Sequence, residues 1–335
     1  MKSERTQLRI GIFILVCCLL VQLFFGGAWD MLRNALSTPQ ALAFLYYTQT
    51  GKRVTVFSQP DKTDMPADNP PQTVISDTSP AAAVFSAQDA AVIEVSNYCG
   101  YSVDREALLT KPLSWDLTQD GPAVLIVHTH ATESYTKTEN YQESSGYRTL
   151  NTDYNVVSIG SHIAQKLEAG GIQVLHDTSL HDYPSYTASY ENSRESVAQY
   201  LKEYPSIRLV LDIHRDAIES SSGNQISYTV DCGGKEAAQV MLVVGTDANG
   251  LTHPNWRENM ALAMKLCAQL EKNTPGICRP ISFRKQRFNQ DLSTGALLLE
   301  MGAAGNTRQE ALLAADLVAQ GILDLAYGAV PGELS

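Results

Sequence analysis

From Pro122 onward, short apolar runs alternate with amphipathic stretches of helical period, and no other feature of this 335-residue chain constrains its fold as strongly. "AVLIVH", "IQVLHD", "IRLVLDIH", "QVMLVVGTD" and "ALLLEMG" read as strands. Between and after them, "YNVVSIGSHIAQKLEAGG", "ENSRESVAQYLKEYP", "NWRENMALAMKLCAQLEKN" and "TRQEALLAADLVAQGILDLAYG" read as helices. Gly170-Gly171 and Pro205 supply the stops for the first two helices. Apolar runs without polar alternation are strands buried on both faces, and the intervening helices provide the crossovers that parallel strands need. The expected fold is therefore α/β, a largely parallel twisted sheet flanked by helices over residues 122–330.

The N-terminus obeys different physics. Residues 1–9 carry Lys2, Arg5 and Arg9, and residues 10–28 form an apolar run whose one strongly polar residue is Gln22. At about 1.5 Å per residue such a run just crosses a hydrocarbon core of roughly 30 Å. The basic flank places residues 1–9 in the cytoplasm and the rest of the chain outside, as a single-pass membrane protein. A cleaved signal peptide ending near Gly26-Gly27-Ala28 is the rival, and the length of the run favours a retained anchor. Residues 29–121 read as a juxtamembrane helix, a linker rich in Pro, Asp, Ser and Thr, and a short helical segment around "AAVIEVSNY" and "DREALLTK".

A net charge of −11 argues against a nucleic-acid partner. Cys17 and Cys18 sit in the apolar run, and Cys99, Cys232, Cys267 and Cys278 are scattered without a CxxC, so they read as isolated thiols.

Chemistry concentrates where the strands end. In open α/β sheets, ligands bind at the carboxyl ends of the strands. "AVLIV" delivers His128, His130 and Glu133; "IRLVLDI" delivers His214, Arg215 and Asp216; "ALLL" delivers Glu300. Imidazole and carboxylate suit Zn²⁺, and a His/Glu/His set leaves a coordination position open for water. Glu300 follows three leucines, so burial can raise its pKa toward general acid–base work. Either His128 or His130 can be the first ligand. On the plainer reading Asp212 and Asp216 are surface charges. His176 and His181 form a second cluster with Asp177, Asp182 and Tyr186, which lines a substrate groove or braces its loop. His162 and His253 read as structural. No GxSxG or Gly-rich phosphate loop is present, and no cysteine stands at a strand end beside a histidine.

"HTHATESY", "DYNVVSIG", "HDTSLHDYPSYTASYENS" and "LVLDIHRDA" resemble stage II sporulation protein P, and the apolar N-terminus and Pro-rich stalk fit the same family. The resemblance implies a membrane-anchored peptidoglycan hydrolase of engulfment, similar to the zinc-dependent N-acetylmuramoyl-L-alanine amidases and also able to cleave stem-peptide cross-links. It implies Zn²⁺ as cofactor, peptidoglycan as substrate and stage II sporulation proteins D and M as partners. It implies a site in the mother cell membrane facing the forespore septum. Carried onto this sequence, "EMGAAGN" implies Glu300 as the catalytic residue and His214 as the second histidine ligand, and strand spacing favours His130 over His128 as the first. The amidases place their middle ligand, a glutamate, just before the first helix. This chain has "LNTDYN" there, so Glu133 is the substitute and Asp153 the fallback. Arg215 holds a stem-peptide carboxylate or braces the histidine loop, with bracing favoured. The alternatives are a carboxypeptidase-like or other metal hydrolase and a non-catalytic wall-binding scaffold.

Overall fold

The protein is described from a computed structural model covering residues 85–111, 116–139, 141 and 146–327. The expected anchor at 10–28 and the Pro-rich linker lie outside the described residues. Among those described, no helix is long and apolar enough to cross a membrane.

The strands are β1 (Val95–Asn97), β2 (Val124–Val127), β3 (Val174–His176), β4 (Leu209–Asp216), β5 (Thr229–Asp231), β6 (Glu236–Ala238), β7 (Val240–Val244), β8 (Ile281–Phe283) and β9 (Ala296–Ala303). The α-helices are α1 (Ala87–Val92), α2 (Arg105–Thr110), α3 (Val156–Ala169), α4 (Ser189–Glu203), α5 (Trp256–Asn273) and α6 (Arg308–Tyr327). Seven strands form one sheet in the order β1-β8-β7-β9-β4-β2-β3, and β5 and β6 form a separate two-stranded ribbon. Every neighbouring pair in the large sheet is parallel except β7–β9. Thus the fold is α/β with a mostly parallel sheet, as the sequence pattern requires.

The apolar runs are continuous because both faces of the central strands are covered. Val124 and Ile126 of β2 and Leu211 and Ile213 of β4 point into a large core shared with α3, α5 and α6. Leu125, Val127 and Val210 point the other way, into a smaller core closed by Val197 of α4. This is the period-two alternation of a pleated strand with apolar neighbours on both sides. Asn155 caps α3 by accepting the amide of Val157 at 3.0 Å. Gly170 closes the helix with its amide on Lys166 at 3.0 Å, and Gly171 follows at φ +89°, a conformation glycine adopts without steric cost.

Three features differ from the sequence expectation. The segment "AAVIEVSNY" is helical only to Val92; Val95–Asn97 leaves as β1 and pairs with β8, so the sheet begins ahead of the expected boundary at Pro122. Strands β1, β5, β6 and β8 are three residues each, too short for periodicity to reveal. β7 runs antiparallel to β9, because the β5–β6 ribbon leads into it with no helical crossover.

Gly295 opens β9 where its carbonyl accepts the Val210 amide at 2.8 Å, and a Cβ there would overlap the carbonyl oxygen of Arg208. That obstacle is backbone and cannot rotate away. Gly295→Ala is expected to destabilise the fold by about 1–3 kcal/mol. Denaturant unfolding measures this, and an unchanged midpoint contradicts it.

Candidate active site

β2 ends at Val127, and the next residues turn across the carboxyl end of the sheet. Two anchors fix that turn. The Asp212 carboxylate on β4 accepts the Thr129 amide at 2.8 Å and the Thr129 hydroxyl at 2.6 Å. The Asp182 carboxylate accepts the Thr132 hydroxyl at 2.6 Å and Arg148 Nη1 at 2.8 Å.

These anchors turn His130 toward β4. The rings of His130 and His214 meet edge to face, 5.3 Å apart. Tyr186 stacks on His130 at 4.5 Å, and the Arg148 guanidinium lies over Tyr186 at 4.7 Å. Glu133 reaches the same place, with Oε2 3.5 Å from His214 Nδ1 and accepting the Arg215 amide at 3.2 Å. Glu300 on β9 is the register partner of His214 on β4. The structure therefore brings His130, Glu133, His214 and Glu300 to one rim of the sheet.

His128 is committed elsewhere. Its Nδ1 lies 3.1 Å from the Ile213 carbonyl, and its Nε2 lies 2.8 Å from Nε2 of His176. A carbonyl only accepts, so Nδ1–H donates and Nε2 accepts from His176. Burial, together with the His176 charge, pushes His128 down to about 3, which keeps it neutral. His181 is tied to Asp177 at 3.1 Å, so both histidines of the second cluster brace their loop. Arg215 also braces: Nε donates to the Ser134 carbonyl at 2.9 Å and Nη2 to the Tyr147 carbonyl at 2.8 Å. Asp153 is exposed and lines a separate groove. His162 pairs with Asp316 at 2.9 Å, and His253 is buried.

The reading of Asp212 as a surface charge is overturned. It is buried, and its Oδ1 stands 2.9 Å from His214 Nε2. The sequence held the signal: in "LDIH" the aspartate precedes the histidine by two residues, so both share one strand face. Arg148 and Tyr190 were also missed, and no local pattern marks them.

The charges interlock. Burial pushes the Glu133 carboxyl up, but the His214 hydrogen bond and the Arg215 charge overcome it and hold the group at about 2. Burial is likewise overcome at Asp212, which His214 and Thr129 hold at about 2. For His214, burial favours the neutral ring, yet Asp212 and Glu133 outweigh it and raise the imidazole well above its ordinary range. Glu300 has no such partner. Burial, reinforced by the Glu133 and Asp216 charges, pushes it up to about 8 against His214 and Arg215.

Among the described residues, His130 Nδ1 and Glu300 Oε2 are buried and make no hydrogen bond, whereas His214 Nε2 faces Asp212 Oδ1 at 2.9 Å. Unmet donors and acceptors are costly in a protein interior. Two imidazoles and a carboxylate suit zinc by chemistry. Among the described residues no three such side chains stand ready-arranged around a cation, and Glu133 is turned to Arg215 at 3.6 Å and Arg148 at 3.4 Å.

A family model for stage II sporulation protein P matches residues 51–323. Stage II sporulation protein P of Bacillus subtilis (strain 168) is 29% identical over 270 residues, which is 77% of this chain and 62% of that protein. The chain thus spans less than two thirds of that relative's length. Among solved structures, N-acetylmuramoyl-L-alanine amidase AmiC2 of Nostoc punctiforme is 15% identical with a TM-score of 0.37, covering 62% of this chain and 98% of its own. The CwlD amidase of Clostridioides difficile, solved in complex with the GerS lipoprotein, is 14% identical with a TM-score of 0.38, covering 61% and 94%. Likenesses at that level assign no residue and no reaction.

The state of Glu300 has a measurable consequence. An unfolded chain ionises this group near pH 4.5, whereas the folded chain keeps it protonated until about pH 8. Folding stability therefore falls across that window on its account. With metal removed by a chelator, Glu300→Gln is expected to melt above the unsubstituted chain at pH 8, by a margin that shrinks toward pH 4.5. A margin constant with pH in thermal melts refutes this.

Proposed function

The chain belongs to the stage II sporulation protein P family, and from that membership and the geometry of the rim we propose that it is a zinc-dependent peptidoglycan hydrolase. The reaction is amide hydrolysis between N-acetylmuramic acid and L-alanine, with cleavage of stem-peptide cross-links as a further activity. One observation carries the reading: His130, Glu133 and His214 converge beside a half-buried Glu300 whose buried Oε2 has no partner among the described residues.

His130, Glu133 and His214 are the residues that would hold the ion. When bound, zinc supplies a water of lowered pKa and polarises the scissile carbonyl. Glu300 accepts a proton from the attacking water at Oε2 and returns it to the departing amine nitrogen. Burial raises its pKa from the ordinary carboxyl range, the direction that helps a carboxyl hold the proton it must return to the amine. Asp212 fixes the His214 ring from behind, and Arg215 fixes the Glu133 loop through the Ser134 and Tyr147 carbonyls. Tyr186 and Tyr190 enclose His130 and limit water around it.

Residues 10–28 anchor the enzyme in the mother cell membrane, with the hydrolase outside and facing the forespore septum. Stage II sporulation proteins D and M are the proposed partners.

Digestion of purified sacculi by the full chain, followed by mass spectrometry, tests the reading. The expected products are free stem peptides and glycan with bare lactyl groups. His214→Ala is expected to abolish release, and Glu300→Gln to slow it by roughly 10²–10⁴-fold. Chelation should stop release and added Zn²⁺ restore it. Full activity in the chelated protein or in Glu300→Gln rejects the mechanism, and binding without cleavage points to a scaffold.

A further inference from the structure

A second feature opens on the same rim. Between α3 and α6 lies a cavity of about 450 Å³ lined by Ser158, Ser161, Gln165, Thr178 and Arg308, with Asp153 also on its wall. Its position follows from topology. Ser158 lies in the first turn of the helix after β2, Thr178 just past β3, and Arg308 at the start of the helix after β9. All three stand at carboxyl ends of parallel strands, the edge that also carries His214 and Glu300.

Arg308 is the unusual member. It is half-buried, and its Nε donates to Ser158 Oγ at 2.9 Å, which fixes the fork. No carboxylate pairs with its guanidinium among the described residues, although the protein is acidic and its other buried or half-buried arginines nearby, Arg148 and Arg215, are engaged by carboxylates. The remaining cationic candidate on the wall, His162, is already held by Asp316.

An arginine held by Nε on the wall of a polar cavity, with no carboxylate on its guanidinium among the described residues, matches a carboxylate in geometry and charge. We propose that the cavity is a subsite for a free carboxylate of the peptide portion of the substrate, with Arg308 as the group that recognises it. This rests on the hydrolase reading above and deepens it, by making the enzyme sensitive to amidation of the stem peptide.

The test uses the full chain and two synthetic muramoyl peptides, alike except that the acidic residue carries a free carboxylate in one and a carboxamide in the other. The unsubstituted chain is expected to favour the free acid by about tenfold in kcat/KM, mainly through KM, as a charge-assisted bond allows. In Arg308→Gln the ratio should fall toward one, and in Arg308→Lys part of it should survive, since charge remains without the fork. A thermal melt checks that each variant is folded, and the Lys variant carries the comparison should the Gln variant not fold. No preference in the unsubstituted chain, or a preference undiminished in the folded variants, overturns the subsite. If neither peptide is cleaved, the hydrolase reading falls. Calorimetric binding of the same peptides then decides the subsite: a preference for the acid that Arg308 variants lose supports it, and equal or absent binding overturns it.

Discussion

Everything at the rim hangs on the carboxylate of Asp212. It binds the Thr129 amide and hydroxyl on one side and stands 2.9 Å from His214 on the other, so it joins the turn after β2 to the strand that carries the second histidine. It is buried, and a buried charge is tolerated only when partners replace water. Those partners are present on both sides of His214, with Glu133 closing the far side. Removing one member of such a buried set typically costs about 3–5 kcal/mol, because the others are left uncompensated. The site and the local stability of the sheet therefore rest on the same few atoms.

The sheet makes this set possible. β4 lies between β9 and β2, so the residues at its carboxyl end face strand ends on both flanks. The pairing of His214 with Glu300 places a catalytic candidate and a ligand candidate on adjacent strands without any loop between them. Strands position side chains more rigidly than loops, so the loop-borne part of the site is confined to residues 128–135. That turn is in turn held by Asp212, Asp182, Arg215 and the Val156 amide, which donates to the Glu133 carbonyl at 2.8 Å. His128 is part of this scaffold, since its hydrogen bond to the Ile213 carbonyl clamps β4 next to His214.

How much of this could be read beforehand follows from the range of each interaction. Burial on two faces is written locally, in unbroken Val, Ile and Leu, so β2, β4, β7 and β9 were legible. Helices α3 to α6 were legible through period and stops. β3 was legible too, inside the run "IQVLHD", but the other three-residue strands carry too few side chains to show a pattern, and the hairpin that reverses β7 was invisible for that reason. In the site, strand ends pointed to His130, Glu133, His214 and Glu300, but the distinction between His128 and His130 depended on a partner 48 residues away, His176. Arg148 and Asp182 act across 34 residues, and no spacing rule links them.

The distribution of charge also explains why one carboxylate differs from its neighbours. Glu133 and Asp212 are held ionised by His214, with Arg215 and Thr129 in support, whereas at Glu300 burial, helped by the Glu133 and Asp216 charges, outweighs the His214 charge beside it. A buried group in that position keeps its proton. His214 lies between the two ionised carboxylates, and their charges raise its imidazole well above the ordinary range against its burial. On the proposed reading a dication would balance those carboxylates, which would favour loss of the His214 proton and place Glu300 in a more positive field. The ionised carboxylates that the fold supports at the cost of burial would then favour a cation and prepare the neighbouring acid to act as a base.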